Sequence, residues 1–259
     1  YRTYRHARLN ATLTGAVTEM REDFGKMMEL LEFGPPEVPP TKAVSDVAAL
    51  HPRLADAGLD IISDNRITDL RQWLGRAESS TRNMSVYRHV LVRKNSESSE
   101  KPSLRLQDLW NSPDLIVHCE NSDLNPVVQR CKDVESGEGG DTFRWGVKLD
   151  FSSVEVGETV DISLNIVQVA APDDTRFTDE QWWQFEIDAN PEIATSWVLL
   201  PDDMPHADFQ VVKSRVETPE IVELVKPTHR TSMYDGCIIN WSVVHPDPGY
   251  IYSSRWNWR

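Results

Sequence analysis

Long apolar runs are missing from this 259-residue sequence. No stretch of 18 or more apolar residues occurs, and no signal peptide is recognisable, so the sequence predicts neither a membrane span nor secretion. We therefore expect a cytoplasmic protein. The chain begins at Tyr1 rather than Met, which we interpret as a fragment of a longer protein.

Cysteine is scarce, with Cys119, Cys131 and Cys237 in all. An odd number at wide spacing predicts neither a disulfide framework nor a structural zinc site, and it indicates reduced intracellular thiols. His118 beside Cys119, with Cys131 further on, offers metal ligands, and His229 with Cys237 offers a base and a nucleophile. Zinc ligands usually come in closer pairs in each half of a site, so packing in strands is the favoured interpretation and no metal is predicted.

The sequence also lacks the glycine motifs of phosphate-binding loops and the Gly-x-Ser-x-Gly turn of many hydrolases. No cofactor and no catalytic residue are predicted. Adjacent carboxylates occur at Asp173-Asp174, Asp179-Glu180 and Asp202-Asp203. Solvated turns explain them better than an acid and base pair does, but a hydrolase with dispersed carboxylates stays open as a third alternative.

Positive charge is in deficit, because 27 Lys and Arg face 41 Asp and Glu, and the net charge is −14. Such a chain repels phosphate backbones, so nucleic acid is excluded as a main partner. Arg2, Arg5 and Arg8 run against this trend. They fit a frayed helix end, or the cytoplasmic flank of a membrane anchor upstream of Tyr1. The second alternative is thus a cytoplasmic sensor or effector module, tied to a membrane only through a segment absent from this chain.

Apolar residues near the N-terminus follow a 4-3-4-3-4 spacing, which is typical of a heptad seam. Residues 1–34 are therefore predicted to form an amphipathic helix that either packs on its own domain or self-associates as a short coiled coil in a homodimer. The predicted seam consists of Leu13, Val17, Met20, Phe24, Met27 and Leu31.

Residues 35–79 are predicted to be a proline-rich spacer followed by short helices. Four prolines between Pro35 and Pro40 stop the first helix. Two helices are then expected between residues 41 and 79, and Asp64 or Asn65 could cap the second of them. Apolar residues at helical spacing predict these helices, namely Ala43, Val47, Ala48 and Leu54 in the first and Ile67, Leu70, Trp73 and Leu74 in the second.

Residues 80–259 are predicted to form an antiparallel β domain, most clearly from residue 143 onward. Apolar and polar residues alternate over 143–151 and 160–166, which predicts a hairpin. A terminal hairpin is expected from 237–243 and 250–258, and a helix at 123–134. The overall prediction is an α+β fold, in which N-terminal helices precede an antiparallel β-sandwich or barrel-like domain.

Tryptophan is abundant, at nine residues, and Trp182 and Trp183 are adjacent. Neighbours on a strand point to opposite faces, so only one of this pair can enter the core, and the other faces solvent, a second layer or a partner. If exposed, it would serve as a binding anchor. Together these patterns predict a non-enzymatic intracellular binding or regulatory protein. Its β domain would recognise another protein or a small ligand.

Overall fold

The computed structural model describes residues 43–48, 54, 57–71, 82–97, 101–106, 114–132, 143–170, 180–186, 191–201, 206–215, 221–225, 228–233, 236–247 and 250–258. All of them belong to one unit, Pro40–Arg259. Strands account for 72% of the described residues, and no α-helix lies wholly within them. Within the same ranges, no helix has the length and apolar character needed to cross a bilayer.

Fifteen strands and one 3-10 turn, Ser122–Leu124, make up the described chain. The strands are β1 Ala43–Ala48, β2 Leu59–Asp69, β3 Arg82–Lys94, β4 Ser103–Leu106, β5 Asp114–Cys119, β6 Val127–Lys132, β7 Phe143–Lys148, β8 Thr159–Ala170, β9 Glu180–Glu186, β10 Ile193–Pro201, β11 His206–Arg215, β12 Ile221–Leu224, β13 Thr228–Met233, β14 Gly236–Val244 and β15 Tyr250–Trp258.

The strands form three sheets. The central sheet has seven strands in the order β13-β14-β10-β2-β3-β8-β5. A second sheet, the β6–β7 sheet, has the order β1-β6-β7-β4, and a third, the β11–β15 sheet, has the order β12-β11-β15-β9. The first two are mixed, because β2 runs parallel to β10 and β1 runs parallel to β6.

One hydrophobic cluster draws side chains from all three sheets. Val90 and Leu164 of the central sheet, Val147 of the β6–β7 sheet and Trp256 of the β11–β15 sheet are each at most 2% exposed. Burying such a side chain contributes about 1.5–3 kcal/mol. The central strand β10 is buried at all nine positions, as expected where a parallel pair is covered on both faces.

The predicted α+β class is wrong for the described chain. The expected helices between 41 and 79 give way to β1 and to β2, which lies at the centre of the largest sheet. The helix expected at 123–134 is a 3-10 turn followed by β6. The reason is that β1 and β6 pair with each other, and β2 pairs along most of its length with β3 and β10. Such tertiary pairing overrides a local helical spacing of apolar residues.

A coiled coil finds no support in this fold, and the six residues of the predicted seam, Leu13 to Leu31, lie outside the described residues.

Both predicted hairpins are also wrong, although their strands exist. β7 pairs with β4 and β6, whereas β8 pairs with β3 and β5. Likewise β14 belongs to the central sheet and β15 to the third. The N–H of His245 donates to the Glu192 carbonyl at 2.7 Å. The φ of His245 is 50°, and the chain turns out of the central sheet at this residue. Side chains still connect the two strands, since Trp241 stacks on Tyr252 with ring centroids 5.5 Å apart.

Candidate functional site

Strand β12 lies at one edge of the β11–β15 sheet. It pairs antiparallel with β11, through Leu224 opposite Val212, Glu223 opposite Lys213, and Ile221 opposite Ser214. Among the described strands, none pairs with its other side. In the sequence Pro219 and Pro227 flank this strand, and proline next to a short strand is typical of a sheet edge.

All four residues of β12 are exposed to solvent. Three of them are large and apolar, with Ile221 and Val222 each 46% and Leu224 52% exposed. Natural proteins usually protect edge strands with charges, bulges or a covering segment, because an open edge recruits other strands. An edge with three exposed apolar side chains and one carboxylate, Glu223, is therefore an unusual surface for a monomer.

A β-bulge interrupts the pairing of β12. The register shifts between Lys213 and Ser214, which leaves Val222 without an opposite residue on β11. Because Val212 and Ser214 lie on one face of β11, their partners Leu224 and Ile221 share a face of β12. Glu223 lies on the other face, with Lys213.

The C-terminal end of β12 is anchored to β11. Val225, which follows β12, is 6% exposed and donates its N–H to the Val211 carbonyl at 2.7 Å. Amide groups alternate in direction along an antiparallel strand. The N–H and C=O of Leu224 therefore point to the open side, where an added strand would find them.

Lys213 on β11 lies opposite Glu223 of this edge. Its Nζ contacts the Asp247 carboxylate and lies 4.5 Å from the centre of the Tyr250 ring. Burial lowers the pKa of Lys213, but the hydrogen bond to Asp247 and the negative charges around it outweigh this effect, so the pKa lies above its ordinary value. Lys213 thus stays protonated and is engaged by Asp247, in the loop between β14 and β15, and by Tyr250 of β15, while Glu223 remains at the surface.

The two tryptophans predicted as a binding site lie on β9, at the opposite edge of the same sheet. The register sets Trp182 opposite Arg255 and Trp183 opposite Ser254. Three strand spacings, about 14 Å, separate β9 from β12. The side chains of Trp182 and Trp183 lie outside the described part of the chain, so their predicted surface role stays a prediction.

The structure describes the side chains of His118, Cys119, His229 and Cys237, whereas the side chain of Cys131 lies outside the described residues. Cys119 and Cys237 are buried thiols, and burial raises the pKa of Cys119, which opposes formation of a thiolate. His229 is opposite Asn240, three residues from Cys237 on β14, so His229 and Cys237 point to opposite faces of the central sheet. Among the described residues, no three side chains of His, Cys, Asp or Glu lie close enough to hold a metal ion.

A buried ion cluster lies in the central sheet and was not predicted. Asp64 on β2 accepts hydrogen bonds from Arg66 and from Arg88 on β3, and all three side chains are at most 6% exposed. Burial raises the pKa of Asp64, but the charges and hydrogen bonds of Arg88 and Arg66 outweigh it and bring the pKa to about 2. A carboxylate that is permanently ionised between two arginines is suited to structure rather than to proton transfer.

The adjacent carboxylates left a hydrolase as an alternative function, and most of them lie outside the described residues. This holds for Asp173, Asp174, Asp179, Asp202 and Asp203, whereas Glu180 begins β9. Within the described chain, three of the seven exposed large apolar side chains lie together on β12.

No protein-family model matches the sequence, and no curated protein matches it. Similar solved structures include a Legionella pneumophila protein assigned as nutrient-binding, with 13% identity, a TM-score of 0.40, and coverage of 83% of this chain and 72% of that one.

Two further structures are a Parabacteroides distasonis protein assigned as a protease, with 9% identity and a TM-score of 0.37, and an M1 zinc metallopeptidase from Deinococcus radiodurans, with 11% identity and a TM-score of 0.30. Each matches 77% of this chain, which spans only 40% and 42% of their lengths. Scores this low do not establish a common fold.

Proposed function

We propose that this chain is a non-enzymatic recognition module that binds an extended segment of a partner protein along the open edge of β12. Binding by strand addition uses main-chain hydrogen bonds for affinity and neighbouring side chains for specificity. The observation that carries the proposal is the exposed apolar character of an edge strand, at Ile221, Val222 and Leu224.

Rigidity beneath the edge supports the same proposal. Val211 and Val212 of the neighbouring strand are 2% and 0% exposed, so β11 is anchored in packed side chains. A preorganised edge loses little conformational freedom when a segment adds to it, which favours binding. The outward N–H and C=O of Leu224 would form the first two hydrogen bonds with the added strand.

The proposal is tested with a fluorescein-labelled octapeptide of alternating Val and Ser. Fluorescence anisotropy should report saturable binding to the wild-type chain. Leu224→Pro removes the outward N–H while leaving the bond from Val225 to Val211 in place, so it should abolish binding, whereas Leu224→Ala should only weaken it. Thermal melting would establish that both variants fold.

A change to the peptide keeps the test independent of protein folding. N-methylation of alternate residues in the octapeptide removes the donors that strand addition needs, and it should abolish binding to the wild-type chain. Equal binding of the methylated and unmethylated peptides would contradict strand addition. No binding of any peptide of this type would contradict the proposed function.

We further propose a cytoplasmic location, supported by the buried thiols Cys119 and Cys237. Thiols persist in reducing compartments, whereas secreted proteins usually oxidise them. Alkylation of the protein in freshly lysed cells, followed by mass spectrometry, should label all three cysteines after denaturation without reductant. A disulfide in that material would contradict the location.

A further inference from the structure

We infer that the partner of the β12 edge is a basic extended segment in which apolar and cationic residues alternate. This inference rests on the proposed function and adds the chemistry of the bound segment. It follows from how the side chains of β12 are divided between its two faces.

One face of β12 is apolar and the other is acidic. Ile221 and Leu224 share the face of Val212 and Ser214, whereas Glu223 lies on the face of Lys213. A strand added along the open side places two of its successive residues opposite Glu223 and Leu224, beyond the bulge, with their side chains on alternate faces. The apolar face selects apolar residues in the partner, and the position opposite Glu223 selects a cation.

Glu223 has its carboxylate exposed at this edge. Its neighbour across the ladder, Lys213, is engaged by Asp247 and lies against the Tyr250 ring. Lys213, on the β11 side of Glu223, is therefore shared with the Asp247 carboxylate. A cation of the added strand, on the other side of β12, would meet the exposed negative charge of Glu223. A cross-strand pair of opposite charges stabilises strand pairing by about 0.2–1 kcal/mol.

The sequence around the edge has the same sign. The segment 216–227 that carries β12 contains Glu217, Glu220 and Glu223 against one cation, Lys226, with the exposed Arg215 at the end of β11 just before it, and the whole chain has a net charge of −14. Long-range attraction then favours a basic segment and speeds its association.

Charge also argues against a second copy of this chain as the occupant. Two copies would each bring a net charge of −14, and edge-to-edge pairing of β12 with itself would bring two copies of Glu223 close together. Like charges across a strand pair are destabilising. An acidic copy is thus a poorer occupant than a basic segment.

Three octapeptides test the inference, with Val alternating with Lys, with Ser, or with Glu. The wild-type chain should bind the Lys peptide about fivefold more tightly than the Ser peptide and the Glu peptide most weakly, as expected for an exposed ion pair worth up to about 1 kcal/mol. Raising the salt concentration should reduce the preference for Lys.

Charge reversal provides the matched variants. Glu223→Lys should reverse the order, so that the Glu peptide binds most tightly. Glu155→Lys makes the same change in net charge at an exposed position in the loop between β7 and β8, and it should preserve the order found for the wild-type chain. A reversal by both variants would mean that the overall field, and not Glu223, selects the partner, and would overturn the inference.

The failures of the inference and of the proposed function are distinguishable. Equal binding of all three peptides, lost in Leu224→Pro, would overturn the basic partner while leaving strand addition intact. A dimer seen by sedimentation in the wild-type chain and lost in Leu224→Pro would identify a second copy as the occupant and would also overturn the inference.

Discussion

Asp64 and Arg88 form a two-pronged ion pair across β2 and β3, in which Nε and Nη2 of Arg88 donate to the two carboxylate oxygens at 3.0 and 2.7 Å. Arg66 donates to the same carboxylate, at 3.2 Å from its Nη2. The pair lies among apolar neighbours, because Arg88 is opposite Leu164 and Asp64 is opposite Val90. Such a buried pair costs much when only one partner is removed.

Replacing Asp64 with Asn should therefore destabilise the fold by about 3–5 kcal/mol, since two buried guanidinium groups lose the charge of the Asp64 carboxylate. Urea unfolding followed by tryptophan fluorescence measures the effect. Asp60→Asn, at an exposed position of the same strand, serves as the control and should change stability by less than about 0.5 kcal/mol. A midpoint of Asp64→Asn equal to that of the wild-type chain would contradict the role of the cluster.

The same cluster predicts how stability depends on pH. The pKa of Asp64 is about 2 in the fold against an ordinary value of 3.8, so folding favours its ionised form. The resulting stability is present above about pH 4 and is lost as the pH falls toward 2. Urea midpoints at about pH 6 and about pH 3 should differ more in the wild-type chain than in Asp64→Asn. An identical pH dependence in the two proteins would count against this assignment.

The contact between the central sheet and the β11–β15 sheet predicts a measurable coupling. Trp241 Nε1 donates to Ser254 Oγ at 3.2 Å, and both residues are 1% exposed. A double-mutant cycle with Trp241→Phe and Ser254→Ala should give a coupling free energy of about 0.5–1.5 kcal/mol, the usual net contribution of such a hydrogen bond. Additive effects of the two substitutions would mean that this bond does not help to hold the sheets together.

Some features of the fold could be read from alternation alone. The strand at residues 143–148 follows from the alternation of Phe143, Trp145 and Val147 with polar residues. The buried cluster also left a signal, because Arg88 occupies an inward position between Val86 and Val90. A charged residue at such a position indicates a buried partner, although the pattern does not say which one.

The sequence did not indicate which strands pair with each other. The polar run Ser63-Asp64-Asn65-Arg66 has no strand pattern, yet β2 is the central strand of the largest sheet. Its polar side chains are tolerated there because Asp64 accepts hydrogen bonds from Arg66 on the same strand and from Arg88 on β3. The contact with Arg88 joins residues 24 positions apart in the sequence, so local propensity predicted a helix instead.

For this protein, the sequence by itself determined the acidic charge, the strands with clear alternation, and the short apolar segment flanked by Pro219 and Pro227. Only the tertiary structure decided that β12 is the exposed end of a sheet while the equally apolar β10 is buried on both faces. The physical reason is that periodicity reports which residues share a face, whereas burial depends on which distant strand pairs with an edge and on what covers it.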